Sequence, residues 1–228
     1  MDWPACYDDV EATEFRMVMF TWLMCMGGAH GAVPAPDYRA ELLSRVELET
    51  HRLLESGQAE LALTHIQTFR KEVTDEPRLA YEESLVLRHM GRSQEALKLL
   101  EYTLSEDDTQ AAAWYDLGEL QLIGDDLEAA KAAFQKATEL TEDHPQGWAG
   151  PYRLAEVAGF QKDADSFEQH LEEALRRGFS MSRTIQGDAR WIQFMQQEAL
   201  ARILLRLATV YGEEAVIESL FSPTQKNP

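Results

Sequence analysis

Residues 111–140 read AAAWYDLGELQLIGDDLEAAKAAFQKATEL. Two apolar-periodic runs flank Gly124-Asp125-Asp126, so the stretch predicts two short helices joined by a tight turn. Residues of the same character return at a fixed step of 34 on either side. From Gly57 the step reaches Gly91, then Asp125 beside Gly124, then Gly159, and from Ala62 it reaches Ala96, Ala130 and Ala164. A turn residue followed five positions later by a small one, repeated at this period, predicts a stack of helix pairs in which each unit buries its apolar face against the next.

The chain around this stretch has 228 residues, 45% hydrophobic, enough for several stacked pairs. Forty Asp and Glu against 21 Lys and Arg give a net charge of -19. The resulting field repels nucleic acid and anionic membrane surfaces, so neither is expected as a partner. The two cysteines, Cys6 and Cys25, precede the repeats, which excludes a disulfide framework or a CxxC zinc pair from the repeated part.

Residues 1–16 are acidic, with Arg16 the one basic residue, and 17–28, MVMFTWLMCMGG, form an apolar run of 12. A bilayer span needs about 20 such residues, so no stable transmembrane helix is expected here. The small residues Ala29, Gly31 and Ala32 and the Pro-rich 33–36 that follow fit a secretory signal peptide cleaved after Gly31 or Ala32, which places the mature protein in a bacterial periplasm or outside the cell. The acidic leader departs from the positive start of such peptides and leaves translation from Met17 as a second possibility. The alternative for residues 1–32 is an amphipathic or buried helix covering the first repeat, in a cytoplasmic protein. Removal of residues 1–32 leaves 20 basic and 35 acidic residues, a net charge of -15.

The array is expected over 37–178, in units 43–76, 77–110, 111–144 and 145–178. Its helices are expected at Tyr38–Ser56, Gln58–Val73, Pro77–Met90, Ser93–Leu104 and Asp163–Arg177, with Pro77 in a first turn, Gly91 left-handed and Ser93 as an N-cap. In the fourth unit Pro151 either kinks its helix or lies in the first turn, and the alignment needs a slip of two or three residues. Beyond Gly178 the period is lost. A loop over Phe179–Gly187, a helix from an Asp188 cap through Tyr211 and a short helix Glu213–Phe221 are expected to form a C-terminal cap in 179–228, using Trp191, Phe194, Met195, Ile203, Leu204, Leu207 and Tyr211.

The third unit resembles the tetratricopeptide repeat family. With Ala111 as position one, Trp114, Leu117, Gly118, Ala130, Phe134 and Ala137 stand where the family places Trp, Leu, Gly, Ala, Phe and Ala. Gln121 and Glu142 depart from its aromatic and proline. The resemblance implies an all-α fold, a right-handed α-solenoid of about four helix pairs with a C-terminal capping helical segment. It also implies a concave groove, lined by the first helix of each unit, that binds a protein or peptide.

The resemblance places the groove at the second, fifth, sixth, ninth, twelfth and thirteenth positions of each repeat, which include Glu47, His51, Glu55, Glu82, Asp116, Leu122, Ile123 and Glu156. The candidate groove residues among them are Arg78, Tyr81, Leu85, Arg88, His89, Tyr115, Glu119 and Arg153. Tyrosines suit a partly apolar peptide surface and arginines suit its carboxylates, while pairing with a neighbouring Glu is the ordinary alternative for each arginine. Members that grip the acidic tail of a heat-shock protein use Lys, Asn and Arg where this chain has Glu47, His51, Glu82, Ala112 and Asp116, so that clamp is absent.

No GxxxxGK[ST], GxGxxG, GxSxG or HExxH occurs, and the six histidines show no i, i+4 pair. No catalytic residue, metal or cofactor is therefore expected. The sequence points to a non-enzymatic adaptor or scaffold that assists assembly of a larger complex, with a cytoplasmic acidic chaperone for secreted proteins as the alternative.

Overall fold

The computed structural model describes residues 35–73, 76–145, 147–184 and 189–221. The leader and apolar run of residues 1–32, Asp188 and the last seven residues lie outside them. Residues up to 42 and those from 43 onward form separate units, and the array is the second.

Four helix pairs succeed one another: α1 (Ala35–Glu55) with α2 (Ala59–Glu72), α3 (Pro77–His89) with α4 (Ser93–Glu106), α5 (Ala111–Ile123) with α6 (Leu127–Leu140), and α7 (Ala149–Gln161) with α8 (Ala164–Arg176). The second helix of each pair also packs on the first helix of the next, as α2 does on α3 and α6 on α7. No strand occurs among the described residues.

One turn geometry generates the period. Gly57, Gly91 and Asp125 all have positive φ, at 76°, 74° and 62°. The residue after each donates its backbone N–H five residues back, Gln58 to Leu53, Arg92 to Leu87 and Asp126 to Gln121. This closure satisfies carbonyls that the end of the first helix would otherwise leave unpaired. In the fourth pair the same bond runs from Asp163 to Ala158 and the left-handed residue is Lys162, φ 59°, three positions after the Gly159 that the period selects. Phe167, not Ala164, therefore occupies the buried place held by Ala62, Ala96 and Ala130. Gly159 lies within α7, where an added Cβ would stand 2.8 Å from the Phe194 ring.

Pro151 lies in the first turn of α7, where its missing N–H costs no helical bond. The Ser93 expectation is corrected: Arg92 holds the cap position without a side-chain cap, and Ser93 is already helical. The expected loop 179–187 contains a short helix α9 (Met181–Thr184). The expected helix to Tyr211 is broken into α10 (Ala189–Met195) and α11 (Glu198–Tyr211), because Gln197 takes extended dihedrals at the start of α11. After α11, Gly212 turns left-handed and leads into α12 (Glu214–Phe221).

Two large clusters hold the array. Leu43, Val46, Ile66, Leu79, Leu100 and Leu117 belong to a core that runs through the first three pairs. Tyr152, Phe167, Phe179, Trp191, Phe194 and Leu204 form a second one between the fourth pair and the C-terminal helices. At about 25 cal/mol per Å², burial of side chains of this size is the main stabilising term. Between the two clusters, Phe134 fills the space beside Gly118, where a Cβ would meet its ring at 2.6 Å.

Candidate functional site

Helices α1, α3, α5 and α7 carry the residues that the repeat register assigns to the groove, and the structure ties them together helix by helix. Arg78 on α3 reaches Glu47 on α1 at 2.6 Å, and His51 on α1 stands 3.0 Å from Glu82 on α3. Tyr81 donates its hydroxyl to Asp116 on α5 at 2.8 Å, and Arg88 pairs with the other oxygen of that carboxylate. From α7, Arg153 donates to the Tyr115 hydroxyl at 3.0 Å and to Glu119 at 2.8 Å.

The network deepens toward the C-terminus. Glu156, 0% exposed, receives Arg153 from its own helix and lies 3.4 Å from Arg190 on α10. Tyr152 donates to Glu156 at 3.2 Å and accepts from the Trp191 indole at 3.0 Å. The cap is thereby hydrogen-bonded to the row it terminates.

Burial sets the electrostatics. It raises the Asp116 carboxyl above the ordinary range, with Arg88 and the Tyr81 hydroxyl opposing it. Glu119 is raised for the same reason against the pull of Arg153, and Glu82 is raised against that of His51. Tyr81 is pushed far up by burial and then by Asp116, so it stays a neutral donor. At Arg153 burial opposes the charge, but Glu156, Tyr115 and Glu119 outweigh it and hold the guanidinium protonated.

Of the eight residues expected from sequence, Arg78, Tyr81, Arg88, Tyr115, Glu119 and Arg153 are thus engaged with one another or with neighbouring carboxylates. Leu85 and His89 line a depression of about 430 Å³ with His51, Leu54, Glu55 and Arg88. A second depression, of about 220 Å³, is lined by Glu119, Leu122, Ile123, Asp125, Leu127, Phe160 and Arg190. Ile123 and Leu48, both at groove positions, are 72% and 71% exposed. The contribution of Arg190 and Trp191 to the row was not legible, since they follow the segment where the period is lost.

Among the described residues no three His, Cys, Asp or Glu side chains are placed to hold a metal ion. No helix there is long and apolar enough to cross a membrane.

Residues 87–150 match the family model for the tetratricopeptide repeat. No curated protein matches the chain by sequence. Among solved structures, the chain is similar to MamA from Desulfovibrio magneticus RS-1, with TM-score 0.59 and 15% identity over 79% of this chain and 97% of that one. It is also similar to pilF of Pseudomonas aeruginosa, with TM-score 0.57 and 15% identity over 80% and 90% of the two chains. A kinesin light chain from Podosopora anserina with nearly identical TPR-like repeats gives 0.55 at 15% identity, over 81% and 97%. At such identities the likeness is one of fold. The match over 87–150 identifies tetratricopeptide repeats there, and the recurring left-handed turn and the likeness to these structures give the chain the fold of an α-solenoid of such helix pairs.

Proposed function

We propose that the chain is a non-enzymatic adaptor that receives a segment of a partner protein along the row of first helices and assists assembly of a larger complex. The observation that carries this reading is the coincidence, at groove positions, of well-exposed aliphatic side chains with a polar framework already fixed in place. Leu48 and Ile123 stand out from a row whose tyrosines and arginines are held by their own hydrogen bonds. Such a surface loses little side-chain freedom when a partner covers it. Because Tyr81, Tyr115 and Arg153 are structural ties, the variants that test binding are at the exposed residues instead.

Photo-crosslinking from position 48 or 123 is expected to give one partner adduct that is missing when the same probe sits at exposed Leu140 on α6. Equal products from both placements would remove the groove from the account. We place the adaptor outside the cytoplasm, on the strength of the apolar run 17–28 and the small residues after it. N-terminal sequencing of the native protein tests this, since an intact start at Met1 or Met17 supports the cytoplasmic chaperone instead.

A further inference from the structure

We propose that the segment received on this face is cationic and aliphatic, with lysine or arginine side chains set beside leucine-like ones. The inference rests on the adaptor reading and adds the chemistry of the partner. At the groove positions six carboxylates, Glu47, Glu55, Glu82, Asp116, Glu119 and Glu156, stand against three arginines. All three arginines are already committed: Arg78 to Glu47, Arg88 to Asp116, and Arg153 to Glu119 and Glu156. At Arg88 and Arg153 a ligand carboxylate would have to displace a pair and leave a buried or half-buried acid without its counter-charge, which is the costly outcome for such pairs, while Arg78 pairs at the more exposed rim.

A ligand cation displaces none of these pairs, and the arginine that lines each depression, Arg88 or Arg190, already faces a carboxylate, Asp116 or Glu156. Each of the two depressions combines apolar lining with one exposed carboxylate outside that network. In the first, Leu54 and Leu85 adjoin Glu55, the last residue of α1. In the second, Leu122, Ile123 and Phe160 adjoin Asp125 in its left-handed turn. Neither the Glu55 nor the Asp125 side-chain carboxylate has a hydrogen bond or ion pair among the described residues. Both sites lie at the turn end of a first helix, so one combination of apolar contact and negative charge occurs twice along the row. Charge complementarity of this kind fixes register and raises the encounter rate as well as the affinity. The excess of 40 acidic over 21 basic residues acts in the same direction at long range.

The test uses two fluorescein-labelled helical peptides, one of leucine and lysine and its counterpart of leucine and glutamate. Binding to the full chain is followed by anisotropy at about 150 mM salt, where the long-range field is screened. The lysine peptide is expected to bind at least about tenfold tighter than the glutamate peptide. The pair Glu55→Lys and Asp125→Lys is expected to remove about tenfold of that affinity. The charge-matched pair Glu101→Lys and Glu142→Lys, at exposed residues off the row, is expected to change it less than about twofold.

Equal weakening by both pairs would show only a general field and overturn the proposal. Tighter binding of the glutamate peptide, abolished by Leu85→Ser with Ile123→Ser, would keep the face as the binding site and overturn its preference for cations. Binding of either peptide that is indifferent to the serine pair would overturn the groove reading and this inference with it.

Discussion

Arg153 donates its Nε–H to the hydroxyl of Tyr115, 38 residues earlier in the chain and 3.0 Å away. One side chain on α7 thereby joins α5, and through Glu156 it also meets the Arg190 that comes from the cap. The row of first helices is consequently held as one polar ladder, and its interior member is the arginine with the fewest alternatives in solvent.

Replacement of Arg153 by Met is expected to destabilise the fold by about 3 kcal/mol, because the buried Glu156 and half-buried Glu119 lose their main counter-charge while the volume is kept. The same change at Arg78, whose side chain is 44% exposed, should cost less than about 1 kcal/mol. Urea midpoints of the two variants provide the comparison, and adding Glu156→Gln to Arg153→Met should restore part of the loss. Equal costs at the two arginines would show that burial does not rank the rungs.

Gly118 and Phe134 supply a test of packing. An added Cβ at Gly118 would fall 2.6 Å from a ring that is 0% exposed, so the ring or the helix must shift. Gly118→Ala is therefore expected to cost about 1–3 kcal/mol, although alanine is the better helix former. Combining it with Phe134→Leu should lessen that cost, measured by thermal unfolding of the four-member cycle.

The periodic part of the fold was legible because its cause is local. A left-handed residue is required at each inter-helix turn, and Gly57, Gly91 and Asp125 advertise it at a constant step. Legibility failed at Lys162, since lysine carries no mark of the left-handed region and Gly159 keeps the arithmetic period while serving to pass Phe194. It failed again at Gln196 and Gln197, where a helix breaks without Gly or Pro. The placement of the candidate groove residues on the first helices was legible from register, whereas their partners across the row were not. Whether Arg88 meets Glu82, Asp116 or a ligand is decided by side-chain placement across helices 28 residues apart, for which spacing gives no signal.

Lys162 provides a gain-of-stability prediction. Its φ of 59° places a Cβ in a region that costs an ordinary residue about 1 kcal/mol, and glycine escapes that cost. Lys162→Gly is expected to stabilise the chain by about 0.5–1 kcal/mol after the larger unfolded-state entropy of glycine is deducted. A lower unfolding temperature in the variant would mean that the lysine side chain supplies more than its backbone strain removes.

Glu213 links pH to the C-terminal cap. Its carboxylate accepts backbone N–H bonds from Met181 at 2.9 Å and Ser182 at 3.0 Å, together with the Ser182 hydroxyl, at the start of α9. Partial burial raises its pKa, but these bonds outweigh that effect and leave it below the ordinary glutamate value. A lowered folded-state pKa means that the unfolded chain takes up the proton first as pH falls. The stabilisation is therefore complete above the unfolded value of about 4.3 and is lost as pH drops through it and then through the folded value. Glu213→Gln is expected to cost about 1 kcal/mol at pH 7, a figure reduced for the group's solvent exposure. The gap between wild type and variant should hold from pH 7 to about pH 5 and close toward pH 3, as read from urea midpoints across that range. A gap that widened on acidification would show that the protonated acid, not the carboxylate, holds α9 in place.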